Sequence, residues 1–125
     1  MGFLLEIRAE IEPTEDKEKV IKAIKNIFPY VEISVEDNII YGKSNDGSSL
    51  DRFFELIKVQ RIVDAALRYL DRSTTGNVVE IKLNRLAAYR NSVNFSSSAR
   101  LPIYVKITTE HWERIRRELE KCIMS

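Results

Sequence analysis

Phe3-Leu4-Leu5-Glu6-Ile7-Arg8-Ala9-Glu10-Ile11 decides the fold. Phe3, Leu5, Ile7, Ala9 and Ile11 fall on one side of an extended chain, and Leu4, Glu6, Arg8 and Glu10 on the other. A period of two with one apolar side predicts a half-buried strand. Three later segments repeat it. Val31, Ile33 and Val35 alternate within 30–36, which Asp37-Asn38 joins to a second short strand, 39–43, as a hairpin. Val79, Ile81 and Leu83 point inward from a fourth strand, and Ile103, Val105 and Ile107 from a fifth that follows Pro102. Strands with one dry and one wet face predict an α+β domain. Its sheet is antiparallel or mixed, with the helices packed on one face only.

The segments between these strands read as helices. Pro13-Thr14-Glu15-Asp16 opens the first, with Thr14 as N-cap and two acids in the first turn. Val20, Ile21, Ile24, Ile27 and Phe28 are its apolar stripe, and Pro29 ends it. After the polar loop 44–49, Ser48 and Asp51 have capping-box spacing. A helix of about twenty-two residues, ~33 Å long, is expected from Leu50 to Arg72. Its stripe is Phe53, Leu56, Val59, Val63, Ala66 and Leu70, and Asp64 is placed to pair with Arg68. Residues 85–91 suit a short helical turn and 92–98 a polar loop around Phe95. A last helix, capped by Thr109, buries Trp112, Ile115, Leu119 and Cys122 or Ile123.

The chain has 125 residues and a formal net charge of +1, which predicts a single domain over 1–125. One cysteine and one histidine (Cys122 and His111) exclude an internal disulfide and an ordinary Cys/His zinc site. No apolar run approaches the ~18 residues of a membrane span, nor is there a signal peptide, so a cytoplasmic protein is expected. Gly42-Lys43-Ser44 imitates the end of a phosphate-binding loop, but the first glycine of that pattern is replaced by Asp37. No nucleophile, base or metal cluster stands out, and neither an enzyme nor a cofactor is expected.

Charge is uneven along the chain. Residues 1–51 hold 6 Lys+Arg and 11 Asp+Glu, whereas residues 52–125 hold 14 and 8, ten of the fourteen being Arg. No acid occurs between Glu80 and Glu110. Such asymmetry points to a polyanionic partner, or to halves that neutralise each other across the fold. RNA binding uses cations for phosphates and aromatic or guanidinium planes for bases. The candidate contacts are Lys82, Asn84, Arg85, Arg90, Arg100 and Lys106, supported by Arg61 and Arg68. Glu6, Glu10, Glu32 and Glu36 speak against the first strands. About five phosphate contacts on single-stranded RNA predict a log–log salt slope near −3.5. The alternatives are a merely solvated face, and a protein-interaction or self-assembling subunit that docks through the basic half.

Three stretches together carry a family resemblance: 13–20 with Asn26-Ile27-Phe28-Pro29, then Gln60-Arg61-Ile62-Val63-Asp64-Ala65-Ala66, then Leu83-Asn84-Arg85-Leu86-Ala87-Ala88 with Leu101-Pro102-Ile103. The chain resembles a family of small uncharacterised archaeal proteins labelled as RNA-binding. The resemblance implies a fold like the ribosomal protein of the L-five type, an RNA role, and a link to the archaeal RNA-degrading exosome and its RNA-processing proteins. The chain departs from the family's glycines at Arg90 and at Ala99-Arg100-Leu101-Pro102. Gln60, Arg61 and Asp64 are near enough for a hydrogen-bonded network, which either orients Asn84-Arg85 toward a ligand or anchors the neighbouring turn.

Overall fold

A computed structural model describes residues 2–95 and 101–121. Arg100 and Cys122 lie outside that range. Among the described residues, six strands, β1 (Phe3–Glu10), β2 (Glu32–Glu36), β3 (Ile39–Ser44), β4 (Thr74–Thr75), β5 (Val78–Leu83) and β6 (Ile103–Thr109), form one sheet in the order β2-β3-β1-β6-β5-β4. Every pairing is antiparallel. The alternating stretch that opens the chain thus lies inside the sheet, flanked by β3 and β6. Its inward Leu5, Ile7 and Ala9 are buried.

The helices α1 (Lys17–Ile27), α2 (Asp51–Val59), α3 (Val63–Arg72), α4 (Arg85–Tyr89) and α5 (Trp112–Glu120) accompany the sheet. Val20, Ile24, Ile27, Phe53, Ile57 and Leu70 join the inward strand residues in one core. The other face of the sheet carries the polar half of each strand's alternation. The α+β class, with one dry and one wet sheet face, is as expected.

Several local expectations are corrected. Asp16, not Thr14, caps α1 by accepting the N–H of Glu18. Residues 12–15 are held in a turn by the Glu15 N–H to Glu12 carbonyl bond of 2.9 Å, which delays the helix. Asp46 likewise caps a 3-10 turn, Gly47–Leu50, that precedes α2, displacing the Ser48/Asp51 box. Thr74–Thr75, directly after the helix, adds a short strand beside β5.

The long helix is two helices. At the end of α2 the Arg61 N–H bonds to the Lys58 carbonyl at 3.0 Å and the Ile62 N–H to the Ile57 carbonyl at 3.2 Å. With Arg61 at φ 59°, these two bonds make a Schellman termination. The position ordinarily filled by glycine holds an arginine, so sequence gave no stop signal there. The break leaves Val59 71% exposed, outside the core stripe it was assigned to.

Candidate nucleic-acid interface

The open face of the sheet is built by alternation, and the strand register sorts it into rows. Opposed residues on neighbouring strands place Ser34, Tyr41, Arg8, Tyr104 and Lys82 in one row across β2, β3, β1, β6 and β5. At about 4.8 Å per strand, Tyr41 and Lys82 stand ~14 Å apart. This row contains two aromatics and two cations and no acid. The Arg8 guanidinium lies 4.4 Å from the centre of the Tyr104 ring. The Lys82 ammonium lies 5.8 Å from the same ring on its other flank. Cations over an aromatic face are held by its quadrupole. A guanidinium stacked on Tyr104 offers its outer plane to a further flat ring.

The adjacent row is Glu32, Lys43, Glu6, Lys106 and Glu80. Here acids and lysines alternate strand by strand, and opposite charges on facing strands attract. Between the two rows, around Tyr104, the surface forms an open concavity of about 460 Å³, walled by side chains of both rows. On the side away from the alternating row, Arg8 also approaches Glu10, at 3.9 Å.

The seven sequence-derived candidates among the described residues do not gather into one patch. Lys82 and Lys106 stand on the open face, in the aromatic row and the alternating row respectively. Arg85 is only 9% exposed. It donates to both carboxylate oxygens of Glu15, at 2.8 and 2.9 Å, and to the Pro102 carbonyl at 3.3 Å. Its guanidinium therefore clamps α4 to the entry of α1 and to the start of β6. Glu15 is held below its ordinary carboxyl value. Burial pushes it up, but the Glu12 N–H and the Arg85 guanidinium together outweigh that. Asn84 is the N-cap of α4, accepting the Ala87 N–H at 2.9 Å.

Arg68 pairs with Asp64 at 2.6 Å on the exposed side of α3, as expected. The network expected among Gln60, Arg61 and Asp64 divides. Gln60 accepts the Val93 N–H at 2.6 Å and donates to the Val93 carbonyl at 3.0 Å, so it anchors the segment after α4. Arg61 sits in the exposed left-handed turn, and Arg90 is exposed at the end of α4. Arg100 lies outside the described residues. Arg8 and Tyr41 were missed because acidity discounted the first strands as a group. The outward position of Arg8 in the alternation was the available signal.

A family model described as RNA binding matches residues 4–110. A protein of Archaeoglobus fulgidus named UPF0200/UPF0201 protein is 41% identical over 105 residues, which is 83% of this chain and 32% of the relative. The chain thus spans about a third of that relative's length. A UPF0201 protein of Thermococcus onnurineus is 36% identical over 120 residues, or 92% of this chain and 89% of the relative. The crystal structure of a UPF0201 protein from Methanococcus jannaschii, 35% identical, matches with a TM-score of 0.82 over 93% of this chain and 91% of that one.

Proposed function

This chain belongs to the archaeal UPF0201 family, and from that premise we propose that it binds single-stranded RNA on the open face of its sheet. The observation that carries the reading is the acid-free row of Tyr41, Arg8, Tyr104 and Lys82. An antiparallel sheet that presents aromatic side chains between cations is a recurrent platform for unstacked bases. Bases lie on Tyr104 with Arg8 and on Tyr41, while Arg8 and Lys82 meet phosphates. Binding is noncatalytic on this reading, and the domain serves RNA processing or degradation as an accessory factor.

Titration of a labelled single-stranded oligoribonucleotide tests it. Tyr104→Ala and Tyr41→Ala are each expected to weaken binding about 5- to 150-fold, the range of one lost base stack. Two phosphate contacts give a log–log salt slope of about −1.4, shallower than the slope expected when all the cations were placed together. Absence of binding at low ionic strength, or equal affinity for wild type and both tyrosine variants, refutes the proposal.

A second reading is a protein-interaction module. Docking through oppositely charged halves of the sequence has less support. Glu6 faces Lys106, and Glu15 binds Arg85, so the halves are interleaved within one fold. Sedimentation at varied ionic strength separates self-association from a monomer that binds RNA.

A further inference from the structure

The alternating row beside Tyr104 raises a question that phosphate binding leaves unanswered. Glu6 and Glu80 face Lys106 from either side, and both line the concavity that holds Tyr104. Carboxylates repel a polyanion, so a surface that only neutralised phosphates would gain nothing from them there. Base edges are different, because they carry amine donors as well as carbonyl acceptors.

Seen across the strands, Glu6, Lys106 and Glu80 present an acceptor, a donor and an acceptor. A base stacked over Tyr104 projects its edge onto this set. Cytosine places its N4 amine on a carboxylate and turns both N3 and O2 toward the ammonium, leaving no like pair. Uracil presents an acceptor, a donor and an acceptor, the same order as the protein. With N3–H on a carboxylate and one carbonyl on Lys106, its other carbonyl is left against negative charge. We propose that this row reads base identity and selects cytosine over uracil at the Tyr104 position, an inference that rests on the RNA-binding reading above.

The test compares oligocytidylate and oligouridylate of equal length, two pyrimidine polymers of similar stacking area. Wild type is expected to bind oligocytidylate about tenfold more tightly, within the range of one specific base contact. In the Glu6→Gln/Glu80→Gln double variant the ratio is expected to fall to within about twofold with oligouridylate binding retained, because an amide both accepts and donates. Both side chains project from the wet face, and circular dichroism checks that the variant is folded. Equal binding of the two polymers by wild type, with both lost in Tyr104→Ala, overturns base selection and leaves RNA binding standing. Binding of neither polymer by wild type overturns both. A preference that survives in the folded double variant overturns the assignment to these carboxylates.

Discussion

Replacing Arg85 by methionine separates the two roles this arginine could have. The side chain is 9% exposed and its carboxylate partner Glu15 is 26% exposed. Methionine keeps the apolar stem but removes both bonds to Glu15 and the bond to the Pro102 carbonyl. Breaking a buried ion pair by removing one partner costs about 3–5 kcal/mol. Glu15 is near enough to solvent to recover part of its hydration, so about 3 kcal/mol is expected. Unfolding entropy of about 2.1 cal/mol/K per residue gives ~260 cal/mol/K for this chain, and the loss corresponds to a fall in Tm of about 11 °C. Thermal unfolding followed by circular dichroism reads it, and RNA affinity measured well below Tm is expected to stay within about twofold of wild type. The pH dependence has a definite sign. Because Glu15 is more acidic in the folded than in the unfolded chain, its pairing contributes stability above its ordinary value of 4.5, and this is lost as pH falls through the lower folded value. The deficit of the variant therefore narrows on acidification below about pH 4. Full stability together with weakened RNA binding would refute the anchoring argument and make Arg85 a ligand contact.

Two further variants test the helix break and the segment it holds. Arg61→Gly relieves a left-handed residue at φ 59°, and a gain of about 1 kcal/mol is expected in denaturant unfolding, net of the added freedom of the unfolded chain. A variant that gains nothing and loses RNA affinity would show that the strain at Arg61 serves binding. Gln60→Ala strips the Val93 backbone of both its side-chain bonds, at a cost of about 2 kcal/mol. Hydrogen exchange at the Val93 amide is expected to accelerate more than exchange in β1, and uniform acceleration across the domain would contradict a local anchor.

Most of the fold was legible because burial imposes a period on the chain. Leu5, Ile7 and Ala9, or Val79, Ile81 and Leu83, cannot alternate with polar residues unless a sheet has one covered face. The helix break at Arg61 was not legible. Its signal is a backbone conformation that usually selects glycine, and here an arginine adopts it. Asp16 displaced Thr14 as cap for a similar reason, since the turn is closed by a local backbone bond from Glu15 to Glu12 that the residue pattern does not announce. Arg85 showed the same blindness at long range. Nothing local distinguishes a solvated arginine from one that reaches a carboxylate seventy positions earlier.

The candidate interface was half legible, and the missing half is strand order. Alternation placed Arg8, Lys82 and Tyr104 outward on their own strands, but only the insertion of β1 between β3 and β6 makes them one row with Tyr41. Summing charge over segments hid this, because Arg8 shares its strand with Glu6 and Glu10. Geometry also bears on how such a face meets RNA. Successive rows are about 6.8 Å apart along a strand, less than the ~8 Å over which physiological salt screens a charge. From farther away the acids and bases of neighbouring rows blur toward neutrality, so long-range steering is weak. At contact the rows resolve, and a base on Tyr104 meets Arg8 and Lys82 in its own row and carboxylates only in the next. Affinity then resides in stacking and in the match of the base edge rather than in net charge.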